Sequence, residues 1–163
     1  MKKGDVRTTF FLVLSMIIIG AILIFGFRAI AGTQKTLSDT KNSDFYIALK
    51  NELLRIRSSY AEVKKYEFSS DKITKVCFFD KDFFRTNNPD KVKTVINDPL
   101  IYDAVSTGSD NIFFMVGKNI EKSDLVDGIT LEEGYLCIPS PDGRLRLTLE
   151  GMKNNRVGVY PES

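Results

Sequence analysis

The chain has 163 residues, of which 43% are hydrophobic and 27% are charged. Lys and Arg number 23 against 21 Asp and Glu, so the formal charge is only +2, too small for the basic field that nucleic-acid-binding proteins present. We therefore expect no nucleic-acid partner, and a single modest domain once one apolar N-terminal segment is set aside.

That apolar segment runs from Phe10 to Phe27 and predicts a transmembrane helix over residues 10–30. The sequence FFLVLSMIIIGAILIFGF holds thirteen Leu, Ile, Val or Phe side chains and no charged residue. At about 1.5 Å per residue it reaches roughly 27 Å, close to the thickness of the hydrocarbon core of a bilayer. A secretory signal peptide cut near Ala31 and a buried core helix are the alternatives, but signal-peptide apolar regions are shorter than this one.

The charges that flank the segment are nearly balanced and do not fix its orientation. Three basic residues precede it and three follow it: Lys2, Lys3, Arg7, Arg28, Lys35 and Lys41. A short tail usually stays cytoplasmic while a long C-terminal portion is exported. We therefore expect residues 1–9 to be cytoplasmic and the C-terminal domain to be extracytoplasmic, in a single-pass protein of the cell membrane.

The next part of the chain predicts an amphipathic helix after a polar connection. Residues 31–43 are read as either a flexible stalk or a continuation of the membrane helix, and Asn42 or Ser43 is a candidate N-cap. From residue 44 onward, apolar side chains recur at helical spacing. They are Phe45, Leu49, Leu53, Ile56 and Tyr60. Such a helix needs a sheet to cover, so we place an extracytoplasmic α+β domain over residues 44–163.

Strand-like stretches rich in aromatic and β-branched residues supply that sheet. They cover residues 62–69, 73–79, 111–116, 135–139, 144–150 and 156–160. Leucines alternate with polar residues over 144–150, as in an antiparallel sheet with one wet face. Turn residues at 139–143 and 153–155 predict two hairpins, and hence a C-terminal meander of three strands. The expected fold class is thus α+β, with the amphipathic helix packed on a mostly antiparallel sheet.

A helical excursion interrupts the strands between residues 88 and 108. Residues 89–97 read as a short helix capped by Asn88, and Asp98-Pro99 interrupts the pattern before a second helical stretch. Three pairs of adjacent phenylalanines surround it, at residues 78–79, 83–84 and 113–114. Neighbouring strand residues face opposite sides, so both faces of the sheet are expected to be apolar there. Either the amphipathic helix covers the second face, or a partner does.

The two cysteines, Cys77 and Cys137, lie in two of the predicted strands. They face each other if those strands pair in one sheet, and an exported domain would then allow a disulfide. Two buried free thiols are the alternative.

The sequence offers little support for catalysis. It has no histidine, which removes the commonest general base and metal ligand, and it contains no glycine-rich phosphate-binding motif. The string from Ser69 to Lys72 matches the spacing of a Ser/Lys dyad but falls in a predicted turn. Four aspartates, Asp80, Asp82, Asp124 and Asp127, do not have the spacing of a calcium loop. We therefore expect no enzyme activity, no catalytic residue, no cofactor and no metal.

The N-terminus resembles that of the archaeal type IV pilin-like proteins. It reads Met1-Lys2-Lys3-Gly4-Asp5-Val6 and leads into the apolar run and then the amphipathic helix. In that family a short basic leader ending in Lys-Gly or Arg-Gly is clipped before a hydrophobic helix that forms the core of a filament. The resemblance implies a cut after Gly4, so that Lys3, Gly4 and Asp5 form the processing site.

This sequence departs from the bacterial-type pilins at one informative position. Those pilins carry a glutamate five residues after the cut, where this chain has Thr9. Arg7 is also unusual so close to the apolar run. We therefore expect a non-enzymatic, pilin-like surface or filament subunit of the cell envelope, and keep a membrane-anchored accessory or binding module as the alternative. Expected partners are the lipid bilayer, copies of the chain, and other membrane or envelope proteins.

Overall fold

The computed structural model describes residues 6–87, 89–96 and 98–162, which form helices and strands in a mixed order. The chain divides into two compact units, residues 1–40 and 41–163, and each is described by itself. The elements are α1 (Val6–Arg57), β1 (Val63–Ser69), β2 (Lys75–Phe79), α2 (Lys81–Thr86), α3 (Pro89–Val95), α4 (Pro99–Thr107), β3 (Ile112–Val116), β4 (Asn119–Asp124), β5 (Ile129–Thr130), β6 (Tyr135–Pro139), β7 (Arg144–Met152) and β8 (Arg156–Pro161). The predicted α+β class with an N-terminal apolar helix is confirmed.

In the first unit, the described residues are all helical and belong to α1. The stretch Phe10–Arg28 has a mean hydropathy of 2.9, and none of it is buried within the protein. It is long and apolar enough to cross a membrane by length and composition. Residues 31–43 are also helical and belong to α1.

The continuity of α1 corrects the predicted N-cap. A helix that already runs through residues 42 and 43 has no free N–H groups there for a cap to satisfy, so Asn42 and Ser43 do not begin a helix. Asn42 is instead buried, and its Oδ1 accepts a hydrogen bond of 2.8 Å from the Ser70 hydroxyl, beside the connection between β1 and β2. This buried pair holds the β1–β2 connection against α1.

The predicted apolar stripe on the last part of α1 is confirmed except at its end. Four of its members are buried: Phe45, Leu49, Leu53 and Ile56. Tyr60, the fifth, is 65% exposed because α1 ends at Arg57 and the chain turns through Ala61, which has a φ of 62°. Gly151 of β7 makes this turn possible, because a Cβ there would collide with the carbonyl oxygens of Ser59 and Ile56.

The second unit contains two sheets, whereas the sequence predicted one. Sheet A has the strand order β1-β7-β8-β5 and sheet B has the order β4-β3-β2-β6. Every pairing is antiparallel except that of β5 with β8, which is parallel. The mostly antiparallel character is therefore confirmed, and the strands β4 and β5 were not predicted.

The predicted C-terminal meander of three strands is wrong, because its first strand belongs to the other sheet. β6 pairs with β2 in sheet B, while β7 and β8 form a hairpin in sheet A. The 139–143 loop therefore carries the chain from one sheet to the other. Ser140 N donates to the Thr74 carbonyl and Ser70 N donates to the Gly143 carbonyl, both at 2.7 Å, so the loop is fixed to the β1–β2 connection. The turn at residues 153–155 is confirmed, with φ near 60° at Asn154 and Asn155.

The main hydrophobic core lies between α1 and the facing sides of both sheets. α1 reaches both sheets at their edges: Lys50 pairs with Asp124 of β4 at 2.6 Å, and Arg55 pairs with Glu62, next to β1, at 3.0 Å. Sheet A contributes three leucines of β7, which are fully buried as their alternation predicts. Together with the stripe of α1 the core includes Val76, Phe78, Ile112, Phe114, Ile138, Leu145, Leu147 and Leu149.

The other face of sheet B forms a second core under α2, α3 and α4. Phe79 and Phe113 point to this side, whereas their neighbours Phe78 and Phe114 point to the main core. The prediction of two apolar faces is thus confirmed, but the excursion itself covers the second one, not the amphipathic helix. Asp98 caps α4 by accepting from Leu100 N at 3.2 Å, ahead of Pro99. The predicted cap at Asn88 lies outside the described residues.

Candidate functional site

Apart from Ser15, the side chains of α1 between Phe10 and Phe27 are all apolar. Phe10 is 64% exposed and Phe27 is 74% exposed, and the fourteen large apolar side chains between and including them are all exposed. An isolated helix bonds its own backbone N–H and C=O groups, as a lipid-facing segment must. Ser15, the one hydroxyl in the stretch, donates to the Phe11 carbonyl at 2.8 Å. This segment can therefore enter a bilayer without an unsatisfied polar group.

The two cysteines are brought together as the sequence suggested. Cys77 of β2 lies directly opposite Cys137 of β6, with Cα atoms 4.0 Å apart and sulfur atoms at bonding distance. The bond joins an interior strand of sheet B to its edge strand, on the face covered by α2–α4. Cys77 is completely buried, and Cys137 is partly exposed.

A tyrosine accompanies this pair and was not singled out from the sequence. The hydroxyl of Tyr135 lies 2.7 Å from Cys137 Sγ and 3.7 Å from Cys77 Sγ. Burial raises the pKa of Tyr135 to about 12, and the negative charge of Asp98 adds to the effect. The phenol therefore keeps its proton at neutral pH and remains a hydrogen-bond donor to sulfur. The sequence could have indicated this contact, because Tyr135 lies two residues before Cys137 and therefore on the same face of the strand.

Three of the four aspartates weighed as calcium ligands use their carboxylates in separate structural roles, and the fourth, Asp127, contributes its backbone carbonyl. Asp80 caps α2, with its Oδ1 accepting from Asp82 N at 2.9 Å. Asp82 pairs with Arg156, Asp124 pairs with Lys50, and the Asp127 carbonyl accepts from Arg57. Among the described residues, no group of three acidic, cysteine or histidine side chains is placed to hold a metal ion.

The Ser69–Lys72 string is likewise explained by local structure. Ser69 ends β1 opposite Arg144 and is exposed, as is Lys72. Ser70 is the buried member, and its Oγ also accepts from Ile73 N at 3.2 Å while it donates to Asn42. The sequence did not reveal this contact, although Asn42 lies on the helical stripe of Phe45, Leu49 and Ile56, where a polar residue signals a buried partner.

The predicted processing site at Lys3, Gly4 and Asp5 lies outside the described residues. Searches of family models, of curated proteins and of solved structures found no significant match to this chain.

Breaking the disulfide is expected to destabilise the domain. The bond closes a sequence separation of 60 residues, which corresponds to about 4 kcal/mol in the chain-entropy model. Urea unfolding of the protein in detergent, followed by tyrosine fluorescence with and without dithiothreitol, should show a lower midpoint under reduction. The double variant Cys77→Ala/Cys137→Ala should unfold at the lower midpoint whether or not reductant is present. Equal midpoints for all four samples would contradict a stabilising cystine.

Proposed function

We propose that this chain is a non-enzymatic, single-span membrane protein of the cell envelope and a pilin-like surface or filament subunit. The proposal is carried by one observation: α1 is apolar and exposed over Phe10–Arg28, whereas its residues from Asn42 to Ile56 build the core of the α+β domain. A single helix therefore provides an element suited to lipid and an element suited to a water-soluble fold.

The free energy of insertion supports an anchor in the bilayer. Each of the thirteen Leu, Ile, Val and Phe residues between Phe10 and Phe27 contributes roughly 0.3 to 0.6 kcal/mol on the insertion scale, or roughly 4 to 8 kcal/mol together. In water the same side chains would form an apolar patch of a kind that monomeric soluble proteins rarely expose. Lipid, or other apolar helices within it, would cover these side chains and remove the free-energy cost of exposing them to water.

The cystine supports an extracytoplasmic domain with the N-terminus in the cytoplasm. Disulfides persist in oxidising compartments outside the cytoplasm and are rare inside it. The Cys77–Cys137 pair is therefore better suited to the exported side of the membrane.

The pilin-like part of the proposal rests on the layout of the N-terminal sixty residues. The order of segments is that of the archaeal type IV pilin-like proteins: the Lys3-Gly4 leader, then the apolar run, then the amphipathic helix. The amphipathic part of α1 packs on antiparallel strands. Thr9 stands where bacterial-type pilins have a glutamate that pairs with a neighbouring subunit. That difference favours the second candidate, an anchored accessory or binding module that does not polymerise.

Anchoring is tested by placing charge in the apolar segment. Ile18→Arg with Leu23→Arg should cost roughly 6 to 8 kcal/mol of insertion free energy, because each change adds an arginine and removes a favourable residue, and this is comparable to the whole driving force. The variant should leave the carbonate-resistant membrane fraction, as followed by immunoblot. The control pair Ser43→Arg/Asn51→Arg adds the same charge at exposed positions of α1 and should stay in the membrane. If both variants fractionate alike, the segment is not the anchor.

Sidedness is tested with a cysteine at the exposed turn between β3 and β4. A membrane-impermeant maleimide should label Lys118→Cys on intact cells, because the domain is placed outside the cytoplasm. Ile19→Cys, within the apolar segment, should remain unlabelled before and after lysis. Labelling of Lys118→Cys only after lysis would place the domain in the cytoplasm.

Processing separates the pilin-like subunit from the accessory module. Intact-mass spectrometry of the protein purified from its own membranes should show the loss of residues 1–4, as expected from the leader. Gly4→Leu should retain the leader and provide the mass reference. An intact Met1, or a cut at Ala31, would rule out the pilin-like assignment.

A further inference from the structure

A cleft of about 320 Å³ lies between α2 and the end of α4, over the face of sheet B that carries the second core. Its lining combines apolar and polar side chains, as that of a small-ligand site does. The apolar lining residues are Phe79, Phe84 and Val105, and the polar ones are Lys81, Arg85, Ser106, Ser109 and Asp110. The cleft contains neither the cystine nor any residue of the apolar segment.

The two cations of the cleft lie on one face of α2. Lys81 and Arg85 are four residues apart, a spacing that places helical side chains next to each other. Over the described ranges 6–87, 89–96 and 98–162, neither side chain has a carboxylate, carbonyl or aromatic partner. Most other cations of the domain do have one: Lys50, Arg55, Lys65, Lys75, Arg144, Arg146 and Arg156 form ion pairs, and Lys64, Lys91, Lys122 and Lys153 lie over aromatic rings.

The acidic groups around α2 do not neutralise these cations. Asp80 is buried and occupied in capping the helix, and Asp82 pairs with Arg156. Asp110 also lines the cleft, and its carboxylate accepts a hydrogen bond of 2.5 Å from Ser123. The cleft therefore has a cationic wall formed by Lys81 and Arg85 of α2, together with apolar side chains and one carboxylate in its lining.

We propose that this cleft binds a small monocarboxylate that carries an aromatic or branched aliphatic group. Two neighbouring donors, one of them a guanidinium, suit a carboxylate, and Phe84 with Val105 offers an apolar surface for the rest of the molecule. Asp110 and the C-terminal end of α4 oppose a second negative charge, which favours a monoanion over a phosphate. This site does not depend on anchoring or assembly of the protein.

The test is a titration of the full-length, ¹⁵N-labelled chain in detergent micelles with phenylacetate. Saturable amide shifts confined to residues 79–85 and 105–110 are expected at millimolar concentrations. Acetate lacks the apolar group and 2-phenylethanol lacks the charge, so each should bind about tenfold more weakly. Absence of saturable shifts, or equal binding of 2-phenylethanol, would overturn the proposal.

Charge variants identify which groups bind the probe. Lys81→Gln/Arg85→Gln should weaken phenylacetate binding about tenfold without changing the melting temperature, because neither side chain has a structural partner among the described residues. Asp110→Asn should strengthen binding, since it removes a repulsive charge and still accepts from Ser123. Lys93→Gln/Lys118→Gln removes the same net charge away from the cleft and should bind as the unaltered chain does. A matching loss in this control pair would show that only the overall charge of the domain attracts the probe.

Discussion

The domain depends above all on the burial of one stripe of α1 between two sheets. Leu49, Leu53 and Ile56 have no exposed surface, and full burial of such a side chain contributes about 1.5 to 3 kcal/mol. The stripe fills the space between the β1 edge of sheet A and the β4 edge of sheet B, and surface ion pairs to both edges surround it. Without this helix, the inner faces of both sheets would be exposed to solvent along these two edges.

The local parts of this arrangement follow directly from the sequence, because helical spacing and strand alternation depend on near neighbours. The apolar helix, the stripe of α1, the alternating leucines of β7 and the β7–β8 turn were all predicted. Alternation tells which face a strand buries, but not which strand lies beside it. For this reason the partner of β6 was predicted wrongly, and one sheet was expected where two exist.

The parts that were missed depend on contacts between distant residues. The predicted cap at Asn42 fails because α1 continues through it, and its amide oxygen accepts instead from Ser70, 28 residues away. The cystine was left open, since only the pairing of β2 with β6 brings Cys77 and Cys137 together. The contacts of Tyr135, and the cleft lined by the cationic wall of Lys81 and Arg85, exist only because the helices α2–α4 pack over sheet B.

The cystine also has a consequence for how the domain responds to pulling. Its sulfurs close a covalent loop that contains α2–α4 and β3–β5, with a sequence separation of 60. Tension between the two ends of the chain would pass through the Cys77–Cys137 bond and bypass that loop. At about 3.3 to 3.6 Å per residue, roughly 200 Å of contour length is withheld from extension. Under mechanical load the oxidised protein would thus stretch far less than its length allows, and the elements inside the loop would bear no force transmitted along the backbone.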